Sequence, residues 1–262
     1  MRNDKIDFII MENTVKVTDA IIVAAKTENP SFSDCARGGC KSLININGRP
    51  AVSYLIDNLK QCELVSRIVL LSDTATFDAA PEVDKYVEVN GSELDSILAG
   101  VRAVEDSDKC LIMNADMPLV SSEALTNLLT YAPDSDIVYP IVEQSDIKGA
   151  FPGRSAYYVQ AKEGKFTGSS CLLFRPSVAL SKEDLLANLL NARKNPAMLM
   201  KIIGPGIALK LMLSTLGIKD IELHLSRALN LDCRVFVSHY PELFVSIDCV
   251  EDIRFMEQKL DS

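Results

Sequence analysis

Three charged residues, Lys41, Asp116 and Asp248, have the chemical types needed to act on a phosphate group. Asp116 follows the apolar run Cys110–Met113 after two intervening residues, and Asp248 ends the run Leu243–Ile247. A hard cation such as Mg²⁺ prefers carboxylate oxygens, and a lysine ammonium offsets charge on phosphoryl oxygens. The pattern therefore predicts Mg²⁺-assisted phosphate chemistry. The alternative is that Asp116 only caps the turn before the next helix.

Strands that alternate with helices would bring these residues together. Apolar runs predict strands at Thr18–Ala25, Arg67–Leu71, Lys85–Val89, Cys110–Met113 and Asp136–Val142, with helices at Ala51–Cys62, Ser92–Val104 and Ser122–Tyr131. This alternation is typical of a parallel sheet, and ligands bind beyond the carboxyl ends of its strands. We expect five features at that edge: Ala24 with Ala25, Lys41, the turn and helix Gly91–Gly100, Asp116 and Asp248.

The pattern changes after residue 144. Ala156–Gln160 and Cys171–Phe174 predict an antiparallel hairpin; helices, two late strands (Arg234–Val237 and Leu243–Ile247) and a last helix, Val250–Leu260, follow. The predicted fold class is α/β, a three-layer, mostly parallel twisted sheet flanked by helices, with an antiparallel hairpin insertion and a helical C-terminal part. We expect an N-terminal arm at 1–17 and a single domain at 18–262. Its halves would be a nucleotide-binding half at 18–144 and an acceptor-side half at 145–262.

Composition argues against several classes of function. The net charge of −9 over 262 residues disfavours nucleic acid as a partner. The seven cysteines form no CxxC pair and indicate a reducing, cytoplasmic compartment, and two histidines are too few for a histidine-built zinc site. No apolar run is long enough to span a membrane. The apolar segment Ala197–Ile218 predicts a packed helix pair rather than a membrane-surface element, and a homodimer face or a cover over the acceptor pocket is its expected use.

Several segments resemble one family of enzymes. Asp19–Ala25, Lys41–Pro50 and Asn114–Val120 resemble the molybdenum-cofactor guanylyltransferase-like nucleotidyltransferases, which have the A-type glycosyltransferase (nucleotide-diphospho-sugar transferase) fold. Three further segments are similar to this group: Asp95–Val101 to the helix after the base-binding turn of the methylerythritol-phosphate cytidylyltransferases, Ile247–Ile253 to the closing acidic segment, and Thr167–Ser170 to the acceptor-site loop.

The resemblance implies a Mg²⁺-dependent nucleotidyltransferase that binds an NTP and a small phosphorylated metabolite (a sugar, polyol or cofactor precursor) and releases pyrophosphate. Asp116 and Asp248 would hold Mg²⁺, and Lys41 would contact the α-phosphate. The implied nucleotide-binding residues are Ala24, Ala25, Lys26, Arg37, Asn90, Gly91, Ser96 and Asn114, and the implied acceptor-binding residues are Arg154, Thr167 and Gly168.

The loop after Ala25 departs from the family pattern. The family has glycine where this chain has Lys26, and Arg37 is the only candidate for the usual arginine of the loop. Glycine lets backbone N–H groups approach phosphate closely, whereas Lys26 supplies a point charge. One alternative is therefore a non-catalytic nucleotide-binding protein on the same fold. A nucleotide-sugar-dependent glycosyltransferase is the other, and Asn114 counts against it because such enzymes commonly have a carboxylate at that position.

Overall fold

The computed structural model describes residues 17–24, 30–32, 34–36, 39–73, 78–89, 92–154, 156–193, 204, 206–207, 210 and 215–261. Their central feature is a sheet of nine strands, and two short strands form a separate hairpin. In chain order the strands are β1 Thr18–Val23, β2 Asn45–Ile46, β3 Arg49–Pro50, β4 Val65–Ser72, β5 Lys85–Glu88, β6 Cys110–Asn114, β7 Ile137–Glu143, β8 Val159–Gln160, β9 Lys165–Gly168, β10 Cys171–Phe174 and β11 Cys233–Ser238. The order across the large sheet is β5-β4-β1-β6-β10-β7-β9-β8, and β11 pairs with β7.

The strands β5, β4, β1 and β6 are parallel and form the core of the sheet. Ile21 of β1 lies between Val69 of β4 and Ile112 of β6. Ala20, Ile21 and Ile22 are all completely buried, which explains why β1 is apolar without alternation. Since the parallel strands end at one edge, the residues that follow β1 and β6 lie side by side there, with the N–H of Ala115 donating to the carbonyl of Val23.

Eight helices lie within the described residues: α1 Ala51–Gln61, α2 Glu93–Arg102, α3 Ser122–Tyr131, α4 Gln144–Ala150, α5 Pro176–Ser181, α6 Glu183–Arg193, α7 Ile218–Leu229 and α8 Glu251–Leu260. α2 begins at a capping box, in which the hydroxyl of Ser92 accepts from the N–H of Asp95 and the Asp95 carboxylate accepts from the N–H of Ser92, both at 3.2 Å. None of the helices in this part of the chain has the length and apolar character needed to cross a membrane.

Helices cover both faces of the sheet. On one face, the apolar stripe of α1 packs with α3 against the side chains of Ile22, Leu70 and Leu111. On the other face, α2 packs against the alternate residues of the same strands, such as Ile21 and Val69. A smaller cluster at the carboxyl edge holds Ile44, Ile46, Phe151, Val245, Ile247 and Met256. The predicted three-layer α/β class is confirmed.

Two predicted elements are wrong. Cys171–Phe174 does not pair with the strand before it but lies in the large sheet between β6 and β7, because it is apolar on both faces. The observed hairpin joins β8 to β9. Leu243–Ile247 is not a strand: it follows the 3-10 turn Pro241–Leu243, and the N–H of Ile247 donates to the carbonyl of Asp116 at 3.0 Å instead of to a sheet partner.

Residues 1–16 of the predicted arm and most of Ala197–Ile218 lie outside the described residues, and the division at residue 144 stays a prediction.

Candidate active site

Asp116 lies two residues beyond β6, at the carboxyl edge of the sheet, and is 6% exposed. Its carboxylate forms an ion pair with the ammonium of Lys41. Burial raises the pKa of Asp116, the charge and hydrogen bond of Lys41 lower it, and the negative charge of Asp248 raises it further. The chain therefore keeps a carboxylate in a poorly hydrated position next to a cation and a second carboxylate.

Lys41 joins the two acidic segments. It opens the 3-10 helix Lys41–Leu43, and its ammonium donates to the carbonyl of Ile247 at 2.7 Å in addition to its pair with Asp116. The side chain of Lys41 remains 23% exposed. An ammonium has three N–H donors, so one of them can still be directed at a ligand.

Asp248 lies beside this pair, although it does not end a strand. The hydrogen bond between Ile247 and the carbonyl of Asp116 joins its segment to the Asp116 loop. The carboxylate of Asp248 accepts from the hydroxyl of Ser246 at 3.0 Å and is 64% exposed. The two aspartates, one buried and one open to solvent, are therefore close enough for the charge of Asp248 to raise the pKa of Asp116.

Arg154 and Asp252 hold the Asp248 segment in place. The Arg154 guanidinium donates to Asp252 and to the carbonyl of Ser246, both at 2.6 Å, and lies 3.5 Å from Asp248. At the start of α8, the Asp252 carboxylate accepts from the N–H groups of Asp248 and Cys249. Two guanidinium nitrogens of Arg154 thus already bind protein oxygens, and the acceptor-binding role given to Arg154 stays a prediction.

A cavity of about 670 Å³ opens beside the Lys41–Asp116 pair. Ala24, Asn114 and Ser42 line its mouth together with that pair. Ser42 is 2% exposed, and its hydroxyl has no hydrogen-bond partner among the described residues. A buried hydroxyl without a partner costs free energy, so a ligand oxygen there would satisfy it. No motif in the sequence marks Ser42; its position directly after Lys41 is the signal that could have identified it.

Other predicted residues lie beside the cavity wall rather than on it. Ser96 is buried, and its hydroxyl donates to the carbonyl of Ser92 at 2.9 Å, while its neighbours Glu93 and Ile97 line the cavity. Thr167 is buried in β9 beside Gly168, and the two residues that follow, Ser169 and Ser170, line the cavity.

At Gly168, an added Cβ would collide with the phenol of Tyr139. This glycine is therefore explained by packing. The predicted ligand roles of Ser96, Thr167 and Gly168 stay predictions, and Ala25, Lys26, Arg37, Asn90 and Gly91 lie outside the described residues.

The carboxylates suit a hard cation with few protein ligands. The described part of the chain holds no group of three or more His, Cys, Asp or Glu side chains that could bind a metal. Mg²⁺ is commonly held by one or two carboxylates together with substrate phosphates and water. Asp116 and Asp248 supply that number, and the burial that raises the pKa of Asp116 leaves its negative charge with little water to stabilise it.

A lysine and two carboxylates thus lie at the carboxyl edge of the sheet, which is where proteins with open α/β sheets bind their ligands. Residues 36–202 match the family described as MobA-like NTP transferase domain, and the chain belongs to this family. The resemblance drawn from the sequence is therefore confirmed.

Relatives with assigned names agree with this placement. The chain is 27% identical over 115 residues to 2-C-methyl-D-erythritol 4-phosphate cytidylyltransferase of Clostridium botulinum, covering 40% of this chain and 51% of that protein. It is also 27% identical over 92 residues to a probable molybdenum cofactor guanylyltransferase of Pyrococcus horikoshii, covering 35% and 47%. The chain thus spans about half the length of the curated relatives it matches.

Solved structures show the same fold over nearly the whole chain. A hypothetical transferase from Thermus thermophilus is 28% identical with a TM-score of 0.82, covering 90% of this chain and 99% of that one. The 4-diphosphocytidyl-2C-methyl-D-erythritol synthase of Anaerococcus prevotii is 14% identical with a TM-score of 0.57, covering 95% and 97%. The second likeness concerns the fold alone.

Proposed function

We propose that this protein is a Mg²⁺-dependent nucleotidyltransferase that transfers an NMP from an NTP to a small phosphorylated metabolite and releases pyrophosphate. The observation that carries the proposal is the Lys41–Asp116 pair at the mouth of the cavity, next to Asp248. The names of the cytidylyltransferase and guanylyltransferase relatives support the same reaction.

The reaction forms one bond and breaks one. An anionic oxygen of the acceptor's phosphate attacks the α-phosphorus of the NTP, and the bond from that phosphorus to the oxygen bridging to the β-phosphate breaks. Pyrophosphate leaves with the electron pair. A phosphate monoester has a second pKa of about 6, so the nucleophile is already charged at neutral pH. The protein therefore needs no base to activate it.

The residues of the chain would bind and orient the phosphates. Asp116 and Asp248 would hold Mg²⁺, which supplies positive charge to stabilise the phosphoryl oxygens in the transition state. Lys41 would direct its remaining N–H at an oxygen of the α-phosphate, and the hydroxyl of Ser42 would donate to a neighbouring oxygen. Such a site accelerates the reaction through positioning and charge, since the phosphates themselves provide nucleophile and leaving group.

Nucleic acid is not expected as a partner because of the net charge of −9. Homodimerisation stays a prediction from the apolar segment Ala197–Ile218.

The test is a pyrophosphate-release screen of four NTPs with Mg²⁺ against a panel of phosphorylated metabolites. We expect release with one NTP and one acceptor class, and its loss in Lys41→Met. The control is Lys60→Met, because Lys60 is an exposed lysine on α1 away from the cavity. NTP binding without release would favour the non-catalytic alternative. Hydrolysis of a nucleotide-sugar, or transfer from a nucleotide-sugar alone, would favour the glycosyltransferase. The absence of both NTP binding and pyrophosphate release would refute the proposal.

A further inference from the structure

The cavity continues from its charged mouth into an apolar interior on one face of the sheet. Ile112 of β6 and Leu172 of β10 are direct partners in the sheet and form its floor. Ile97 of α2, Val178 of α5 and Leu186 of α6 form the wall above them. Apart from Ala24, the residues named at the mouth are polar, whereas these five inner residues have only hydrocarbon side chains.

The described residues of the protein cover the floor of the cavity incompletely. Ile112 and Leu172 are only partly buried, although they lie on two interior strands of the sheet. Their neighbours on the opposite face, Leu111 and Leu173, are 0% and 2% exposed. Apolar residues in the interior of a sheet are normally covered on both faces, so the open face leaves room for an apolar ligand group.

The direction of the strands aligns this apolar part with the candidate active site. Asn114 of β6 lines the mouth, and Ile112 lies two residues, or about 7 Å, further in along the same strand. β10 runs the other way and gives the same order, with Ser170 near the mouth and Leu172 further in. A ligand with its charged group at Lys41 would therefore extend its other part along Ile112 and Leu172.

The cations at the far side of the cavity are already occupied by protein oxygens. Arg175 forms an ion pair with Asp134 at 2.6 Å and another with Asp108. The ammonium of Lys182 donates to the carbonyls of Leu229 and Asn230 at 3.1 and 3.0 Å. The ion pairs neutralise Arg175, and the two carbonyls take two of the three N–H donors of Lys182. The Lys41 end, where the buried hydroxyl of Ser42 has no partner among the described residues, is therefore the better placed of the two ends to bind a phosphate.

We propose that the acceptor is amphipathic: its phosphate lies at the Lys41 end and its hydrocarbon part fills the apolar interior against Ile112, Leu172 and Leu186. This inference rests on the proposed function, because it names the acceptor class of the same site. A nucleobase packed against these three side chains would lose hydrogen bonds to water, since hydrocarbon side chains offer its ring nitrogens and exocyclic groups no partners. The ligand chemistry is that of an alkyl or prenyl monophosphate.

A chain-length series tests the inference by direct binding. Ethyl, butyl, hexyl and octyl phosphate are titrated into the full-length protein by calorimetry, with and without saturating Mg²⁺ and a non-hydrolysable NTP analogue. Burial of each added methylene should tighten binding about fourfold until the cavity is filled. Ethyl phosphate serves as the probe that has the charge but almost no apolar part.

Two variants assign the binding to the cavity. Val178→Trp fills the interior and Leu186→Asn makes its wall polar, and both should remove the dependence on chain length while ethyl phosphate still binds. Leu223→Asn is the matched control, because Leu223 lies on α7 outside the cavity and is 52% exposed. Far-ultraviolet circular dichroism and urea unfolding identify any variant that has lost its fold, and the other variant then decides the result.

Three results would overturn the inference: affinity independent of chain length in the parent, a chain-length dependence that survives in the folded cavity variants, or loss of octyl phosphate binding when the NTP analogue is bound. The last result would assign the cavity to the nucleotide. Failure of the proposed function is distinct, since it appears as an absence of NTP binding and of pyrophosphate release. The series without nucleotide would then still test the cavity for apolar phosphates.

Discussion

Replacing Asp116 with asparagine separates two opposing contributions to the free energy of unfolding. Burial destabilises the charged carboxylate in the folded protein, whereas the ion pair with Lys41 stabilises it. Burial is the larger cause, and the net effect is a raised pKa. Asp116→Asn keeps the shape of the side chain and removes its charge. The variant is therefore expected to be more stable than the parent at neutral pH, although it should lose pyrophosphate release.

The pH dependence follows from the direction of the shift. In the unfolded chain an aspartate has a pKa of about 3.9, and the folded-state pKa of Asp116 lies above that value. Between the two pKa values the folded state binds more protons, so the parent loses stability as the pH rises through this window. Asp116→Asn does not lose stability in this window, because its side chain does not titrate. The two proteins should be equally stable at pH values below both pKa values, and Asp116→Asn should become the more stable of the two as the pH rises to neutral.

Urea unfolding at a series of pH values measures this difference. Asp57→Asn is the matched control, because Asp57 pairs with Arg49 on the surface, where both side chains are at least 40% exposed. Its effect should stay within about 1 kcal/mol. A parent that is more stable than Asp116→Asn at neutral pH would mean that the attraction of Lys41 exceeds the cost of burial, and the reasoning would be refuted.

Three further predictions concern packing, the Arg154 contacts and thiol accessibility. Gly100→Ala should lower the free energy of unfolding by about 1–3 kcal/mol, since a Cβ there would lie 2.7 Å from a terminal methyl of the fully buried Leu71. The control Gly149→Ala, on a helix with open space around it, should be neutral or stabilising. Equal effects of the two variants in urea unfolding would contradict this prediction. Arg154→Met should lower the free energy of unfolding by about 3–5 kcal/mol, because the charge of Asp252, whose side chain is 13% exposed, would lose its ion pair. An unchanged unfolding midpoint in urea would show that the pair is dispensable. In the native protein a thiol reagent should modify the exposed Cys249 and spare Cys171, because burial raises the pKa of Cys171 to about 11. Peptide mass spectrometry measures the labelling of each thiol. Similar labelling rates for the two cysteines would be inconsistent with this packing.

Much of the fold and part of the candidate site could be predicted from the order of apolar and polar residues. The buried runs of β1, β4 and β6, with helices between them, indicate parallel strands, because strands that are apolar on both faces and joined by crossover helices are typical of parallel sheets. Their carboxyl ends must then meet at one edge. For this reason the positions of Ala24 and Asp116 beside each other follow from local sequence alone.

Pairing between distant segments could not be predicted in the same way. The apolar run Cys171–Phe174 indicates a buried strand, but its composition does not identify the strands with which it pairs. The prediction that it forms a hairpin with the preceding strand is therefore wrong. Leu243–Ile247 is equally apolar, yet the N–H of Ile247 is hydrogen-bonded to the Asp116 loop rather than to a strand. The pattern of apolar residues indicates how deeply a segment is buried. The segments with which it pairs depend on the surfaces that the rest of the folded chain leaves open.

The sequence by itself determined the class of fold, the charged residues at the sheet edge and the family. Only the tertiary structure decided that Lys41 bridges Asp116 and Ile247, that Arg154 binds Asp252, and that the buried hydroxyl of Ser42 has no partner in the part of the chain that the structure describes. It alone also left an apolar cavity over Ile112 and Leu172. A cavity is the space that packed elements fail to fill, so it depends on the relative placement of helices and strands, which no local pattern of residues encodes.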